Sequence, residues 1–397
     1  MKQRTVDSTK ANSDLPLSIV YFGNDWFAEN RTSSHHIARR LGSRFPLLYV
    51  ESPGLRTPHA SRRDVGKLFE KLALAFRGPR QVGPHMWHMS VAQLPFRKFS
   101  AVRAFNQAFA LWKLRRAFRK LSISSPILWF TVPHPGYLAG RLNERLVVYY
   151  CVDDYAALPH VNAVEVAAMD DGLSQRADLL FAVSTKLVAT KQQKSKNVIY
   201  SPHGVDAEHF GRAANLADPV AEGVRDIPHP VIGFFGPLDV KVDFGLLEYL
   251  ATQRPQWSIL LIGNIVSDIS HLLRLPNIHA VGAVKYENLP EWARAFDVCI
   301  IPFIPGVLMD SVNPLKLKEY LAMGRPVVTI PMGEVASFGT HISIAKNKEE
   351  FLAAIDKELA TDSDEKRTQR MQLIKADTWD ARVEKVLSLV MEKLQAQ

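Results

Sequence analysis

Short apolar runs alternate with amphipathic stretches along the whole chain. In the first half the runs are Leu17–Phe22, Leu47–Val50, Ile127–Phe130, Leu146–Val152, Leu179–Val183 and Val198–Ser201. In the second half they are Val231–Phe235, Ser258–Ile262, Ile278–Val281, Val298–Pro302 and Pro326–Ile330. These runs are continuous rather than alternating and rich in Val and Ile, the pattern of strands covered on both faces. The amphipathic segments between them predict βα units and parallel sheets. The segment Ser201-Pro202-His203-Gly204-Val205-Asp206 separates six strand candidates from five, so the expected class is α/β, with two doubly wound, Rossmann-like halves facing across a cleft. We expect a flexible tail at 1–15, domains at 16–205 and 206–376, and a helix at 377–397. That helix carries Val383, Val386, Leu387 and Val390 at i, i+3, i+4 and i+7, and packing back across both halves would bury the stripe.

Composition narrows the class. A chain of 397 residues is too long for one ordinary domain, and 47 % apolar with 22 % charged residues excludes a fibrous or mainly disordered protein. No run approaches the ~18 apolar residues of a spanning helix, and Met1 to Pro16 lacks a signal-peptide core. Cys151 and Cys299 both lie in apolar strand-like runs, which suits buried thiols in a reducing cytosol. The net charge of +9 is unevenly spread: Ser61 to Lys120 holds fourteen Lys or Arg against Asp64 and Glu70, a local +12 that leaves −3 for the rest. Within it Phe99, Phe105, Phe109 and Trp112 interleave with Arg103, Lys113, Arg115, Arg116, Arg119 and Lys120. An amphipathic helix on an anionic membrane fits this, as does a core-facing helix with a solvated basic back. No recognised nucleic-acid motif accompanies it, so nucleic acid is not expected as a partner.

The most informative stretch runs from Asp310 to Val328. Asn313 suits an N-cap, Pro314 the first helical position and Gly324 the stop, which predicts a helix over Pro314–Met323 with Leu317, Tyr320 and Leu321 buried. The free amides and positive dipole end at Asn313–Leu315, around Pro314, with Lys316 in the first turn, would form an anion site. Glu319 lies five residues beyond Pro314, about 7.5 Å along a helix. That separation matches a diphosphate and its ribose; an ordinary βα loop with a charged surface is the alternative. In the first half Asp153 and Asp154 end an apolar strand, where carboxylates face a cleft or cap the following helix. His134 follows the preceding strand, as a site residue or a structural one. Gly23, Asn24 and Asp25 after the first strand, and His36 at the start of a helix, are further cleft candidates. The only Asp-x-Asp, Asp362-Ser363-Asp364, sits in a polar linker, and no Cys/His cluster has zinc spacing, so no metal site is expected.

The segment Asn313-Pro-Leu-Lys-Leu-Lys-Glu-Tyr-Leu-Ala-Met-Gly-Arg-Pro-Val-Val328 resembles the donor-site helix of the retaining group 1 glycosyltransferases (glycosyltransferase family 4, GT-B fold), nearest to the teichuronic-acid and exopolysaccharide type. Other segments follow the family's order: Arg31–Leu41 with Leu48–Glu51, Val148–Tyr155, Ala177–Thr185, Ser201–Asp206, Gly233–Gly236, Leu261–Gly263 and Val281–Pro290. The resemblance implies an acceptor-binding N-terminal domain and a nucleotide-sugar-binding C-terminal one; Asp153, Asp154 and His134, from their places after strands, are the candidate catalytic residues. Glu319 would hold the donor ribose, the amides of Asn313–Leu315 the diphosphate, Val284 the base, while Gly236 and Gly263 let the chain approach the phosphates. His203 stands where the family's interdomain motif has Asn, and would face the acceptor cleft. Ser311 occupies the position of the first carboxylate in the family's Glu-x7-Glu, and Pro237 replaces a common Arg, for which Lys241 is the nearest substitute.

The implied activity is transfer of a sugar, with retention, from a nucleotide diphosphate to a glycan or lipid-linked acceptor in polysaccharide or cell-surface glycan synthesis. The nucleotide-sugar is a co-substrate, and no cofactor or metal is implied. Lipid-linked acceptors would bring residues 61–120 to the inner face of the cytoplasmic membrane. The Ser311 and Pro237 departures leave a catalytically silent nucleotide-sugar-binding scaffold as an alternative, and a nucleotide-sugar epimerase is another.

Overall fold

A computed structural model describes residues 17–28, 31–51, 77–91, 93, 99–215 and 218–397. The expected tail at 1–15 and the basic residues Arg62, Arg63, Lys67, Lys71, Arg97 and Lys98 lie outside them.

Two sheets organise the chain. The first holds β1 (Ile19–Gly23), β2 (Leu47–Glu51), β3 (Arg80–Gly83), β4 (Met86–Ser90), β5 (Ile127–Phe130), β6 (Leu146–Cys151), β7 (Leu179–Ala182) and β8 (Val198–Tyr200), in the order β3-β4-β2-β1-β5-β6-β7-β8. All its pairings are parallel except β3 with β4. The second holds β9 (Val231–Phe235), β10 (Ser258–Ile262), β11 (Ile278–Gly282), β12 (Val298–Ile301), β13 (Val327–Thr329) and β14 (Ser343–Ile344), in the order β11-β10-β9-β12-β13-β14, parallel throughout. Strand order reverses at β1/β5 and at β9/β12, where open α/β sheets place ligands beyond the carboxyl ends.

Three strands escape the pattern. β3 and β4 form a short hairpin whose segment mixes polar and apolar residues, and β14 has only two residues. Neither presents the continuous apolar run that marked the others. The remaining strands begin or end within two residues of the expected runs.

Helices cover the sheets: α1 (Ser33–Gly42), α2 (Ser100–Leu121), α3 (Ala163–Arg176) and α4 (Thr185–Gln192) on the first. On the second lie α5 (Ala207–Gly211), α6 (Phe244–Gln253), α7 (Leu289–Ala293), α8 (Val307–Asp310), α9 (Leu315–Ala322), α10 (Lys348–Thr361) and α11 (Asp364–Ile374). The last helix, α12 (Trp379–Gln395), crosses back: Val383, Val386, Leu387, Val390 and Leu394 are buried in the core of the first sheet, not the second. The valine stripe therefore finds the partner its periodicity demanded.

The joint is tight. Val205 N–H donates to the Asp377 carbonyl at 2.9 Å and Trp379 N–H to the Val205 carbonyl at 3.2 Å. A Cβ on Gly204 would come within 2.6 Å of the Trp379 backbone nitrogen. The buried Lys318 of α9 ties both strands of the joint, donating to the His203 carbonyl at 2.6 Å and to Asp377 at 2.8 Å. Cys151 and Cys299 are free and buried, one in each core. No helix among the described residues is long and apolar enough to cross a membrane.

Candidate functional site in the cleft between the sheets

The helix that carries the candidate chemistry starts one residue later than expected. Pro314 is its N-cap, and the cap has no side-chain hydrogen bond, because the Asn313 amide instead donates across the cleft to the Val183 carbonyl at 2.9 Å. Asn313 thus joins the domains rather than capping the helix. Leu317, Tyr320 and Leu321 are fully buried as the spacing required, and Gly324 at φ +71° ends the element. The Phe235 amide donates to the Tyr320 hydroxyl at 3.0 Å, which locks α9 against β9. That contact holds the face bearing Lys316 and Glu319 over the end of β9.

Gly236 lies at that end with φ +140°, and a Cβ there would sit 2.2 Å from the Lys316 Cε. A side chain would displace the lysine, so glycine is required for the close approach. A Cβ on Gly263 would in turn meet the Gly236 carbonyl oxygen at 2.0 Å, so the two loops touch backbone to backbone. The Lys316 ammonium lies 5.7 Å from the Phe234 ring centroid and 5.4 Å from that of Phe303. Burial lowers its pKa, opposed by the charge of Glu319, while burial raises Glu319, opposed by Lys316. The pair is thus a desolvated cation and carboxylate on one helix face, with Asp206 adding repulsion on Glu319.

The carboxylate across the cleft comes from the first sheet. Asp153 follows β6, and burial pushes its carboxyl up to about 6, with Lys241 the main opposing charge. Lys241 belongs to the loop after β9, pairs with Asp239 at 3.4 Å, and also acts on Lys316. Asp153, Lys241, Lys316 and Glu319 therefore share one electrostatic environment although they come from both domains. Asp153 Oδ1 accepts from the Asp154 amide at 2.9 Å, and Asp154 is the residue preceding a 3-10 turn at Tyr155–Ala157. His134 opens another 3-10 turn beyond β5 and is buried.

Gly23 is buried against Tyr49 and Ser34, whereas Asn24 and Asp25 are exposed in the loop that follows. The Tyr49 hydroxyl donates to the Asn24 carbonyl at 2.7 Å, and Asp25 Oδ1 accepts from the Phe27 amide, so this loop is anchored. Val284 is half-buried in the loop after β11.

Two expected cleft histidines lie elsewhere. His36 stacks on Trp379 with ring centroids 5.1 Å apart, and His203 lies 5.8 Å from the same indole. Both are buried, which pushes His203 down to about 3 and His36 well below its usual value. They pack the joint as neutral rings because the crossover helix delivers Trp379 between them.

Other cleft residues had no local signal. Glu334 accepts from the Thr185 amide at 2.7 Å, the Thr185 hydroxyl at 2.9 Å and the Tyr200 hydroxyl at 2.7 Å, bridging the two domains. Lys186 pairs with Asp310 at 3.1 Å in the same seam, and Arg31 pairs with Glu287. Their partners are more than 100 residues away, beyond any periodicity. No group of three or more His, Cys, Asp or Glu suited to a metal occurs among the described residues.

Comparisons with known proteins bear on the family and the fold. Residues 229–361 match the family described as "Glycosyl transferases group 1". A Bacillus subtilis (strain 168) protein named "Putative teichuronic acid biosynthesis glycosyltransferase TuaH" is 27 % identical over 274 residues, covering 64 % of this chain and 68 % of that protein. Among solved structures, a sucrose-phosphate synthase from Thermosynechococcus elongatus aligns at a TM-score of 0.70 with 15 % identity, covering 96 % of this chain and 100 % of the other. A trehalose-6-phosphate structure from E. coli bound with UDP-2-fluoro glucose aligns at 0.67 with 15 % identity, covering 95 % and 99 %.

Proposed function

We propose, from the premise that this chain is a GT-B glycosyltransferase with a group 1 domain at residues 229–361, that it moves a sugar from a nucleotide diphosphate to a glycan or lipid-linked acceptor with retained configuration. The single observation that carries the reading is the buried Lys316–Glu319 pair of α9, held over Gly236 and faced by Lys241 and Asp153. Lys316, Lys241 and the first amides of α9 neutralise the diphosphate as it leaves, so no metal is called for. The Glu319 carboxyl accepts hydrogen bonds from the two ribose hydroxyls, and Val284 backbone faces the base.

In the transfer step the bond from the anomeric carbon to the phosphate oxygen breaks. A bond from that carbon to the acceptor oxygen forms on the same face, and the acceptor proton passes to the departing phosphate. Asp153, ionised above about 6, stabilises the positive charge that develops on the sugar ring. The relative of teichuronic acid synthesis supports a role in cell-surface glycan assembly.

We also read the chain as acting in the cytoplasm at the inner membrane face. The support is the outward side of α2, where Phe105 and Trp112 are more than half exposed beside Arg115, Arg116 and Arg119. Its other side, through Asn106, Ala110, Leu114 and Ala117, is buried. Phe109 stacks between the two exposed rings, at 6.2 Å from Phe105 and 5.8 Å from Trp112.

Thermal shift with UDP-, GDP-, dTDP- and ADP-sugars tests the donor site. One nucleotide class stabilises the wild type, and Glu319→Ala loses that shift together with about 10²-fold or more in kcat/KM, the loss of two hydrogen bonds to a charged group. Near-normal turnover by that variant would overturn the assignment.

A further inference from the structure

A cavity of about 560 Å³ lies between the domains, and neither Lys316 nor Glu319 lines it. Its walls come from residues 26–28 and 31 between β1 and α1, one side of α1, the edge strand β3 and the loop 285–287 after β11. That volume is within the ~300–1,000 Å³ of small-molecule sites. Its charge is one-sided: Arg31, Arg39, Arg80 and Lys285 line it against the single carboxylate of Glu287, counting described residues. Only Arg31 is paired, with Glu287; Arg39, Arg80 and Lys285 make no ion pair among the described residues.

This differs from the rest of the interdomain seam. There Arg40 is matched by Asp380 at 3.0 Å, Arg44 by Glu384 and Lys186 by Asp310. Two of the lining cations, Arg39 and the paired Arg31, are also held in place. The Arg39 guanidinium lies 4.9 Å from the Trp26 ring centroid and that of Arg31 4.5 Å from the Tyr286 centroid, so each planar fork is set before any ligand arrives. Burial and the neighbouring Arg31 lower the Arg39 pKa, opposed by the charge of Glu287. His35, kept neutral by burial, adds no charge. Phe27, 60 % exposed at the rim, offers the apolar face on which a pyranose ring rests. Tyr286 separates this cavity from the donor side. One face of its ring is stacked by His209 at 4.4 Å, and its buried hydroxyl feels the charge of Glu319.

We propose that this cavity is a second subsite, which takes a saccharide through its acidic group, a carboxylate or a phosphate, held by Arg39, Arg80 and Lys285 over the Phe27 face. The saccharide is the acceptor or the part of it next to the reacting hydroxyl, so the proposal rests on the glycosyltransferase reading of the donor site. Guanidinium forks bind carboxylate and phosphate oxygens in pairs, and the pairing is strongest where water is partly excluded.

Saturation-transfer NMR on the full chain tests it with methyl β-D-glucuronide, glucose 6-phosphate and the neutral methyl β-D-glucoside, and with UDP and GDP in parallel. Both anionic sugars, or the one of the two that fits, bind about tenfold or more tighter than the glucoside, and the preferred anion tells carboxylate from phosphate. The exposed-site double variant Arg39→Ala/Arg80→Ala removes that advantage and leaves nucleotide binding unchanged; Lys285→Ala weakens it less. Glu319→Ala does the reverse, losing nucleotide and keeping the anionic sugar. Equal binding of charged and neutral sugars overturns the proposal, as does loss of nucleotide in the arginine variant, which would make the cavity part of the donor site. Absence of nucleotide binding with the anionic preference intact would instead remove the donor reading alone.

Discussion

Asp153 shows how one residue links chemistry to stability. Its carboxyl ionises at about 6 in the folded chain against an ordinary value of 3.8, because burial outweighs the attraction of Lys241. Between these values the native state keeps a proton that the unfolded chain has lost. The stabilisation is complete below about 4 and is lost as pH rises through about 6, up to about 3 kcal/mol for the whole shift. Asp153→Asn lacks this term. Melting temperatures at pH 4 and pH 7 should show wild type falling relative to the variant as pH rises, and parallel curves would refute the burial argument. In activity, kcat/KM of the wild type should rise through about 6 as the carboxylate forms. The carboxylate pair at the end of β6 was legible from the sequence, because charge after an apolar run marks a strand's end. Its partner Lys241 was legible only as a stand-in for an arginine, since nothing local places it opposite Asp153.

At the scale of elements, α9 and α12 were both written in short-range pattern. α9 followed from Pro314, the buried positions Leu317, Tyr320 and Leu321, and Gly324; its cap did not, because Asn313 found a better acceptor in Val183 on the other domain. α12 followed from its valine stripe, but Trp379 at its start carries the larger burden. Its indole is 1 % exposed, stacked on His36 and packed near His203. Trp379→Ala should cost about 3–5 kcal/mol of stability by chemical denaturation, with the loss concentrated in the first domain and the joint. A loss under about 1 kcal/mol, of the size expected at a surface site, would show that the crossover is not anchored there. The hairpin β3–β4 is the opposite case: its residues alternate too irregularly to announce strands, and pairing with β2 decides their state.

For the whole molecule, the uneven charge gains a shape. α2 turns one side into the first core and leaves an aromatic and arginine face outward, so part of the +12 segment is displayed rather than spent inside. Co-sedimentation with vesicles containing anionic lipid should therefore fall with salt, over the ~10 Å screening length at 0.1 M, and fall again on charge reversal at Arg115, Arg116 and Arg119. Equal binding to neutral vesicles would refute an electrostatic contact. What the chain's sequence determined by itself is whatever is built from neighbours: strands from continuous apolar runs, helices from their stripes and stops, and a cation and a carboxylate, Lys316 and Glu319, one turn apart on one helix face. Tertiary structure alone decided what meets across the cleft, such as Glu334 with Thr185, Asp153 with Lys241, and Arg31, Arg39 and Arg80 around one cavity. Periodicity reports the face a residue turns to its own sheet, whereas partners far apart in the chain are chosen by how the finished elements are laid against each other.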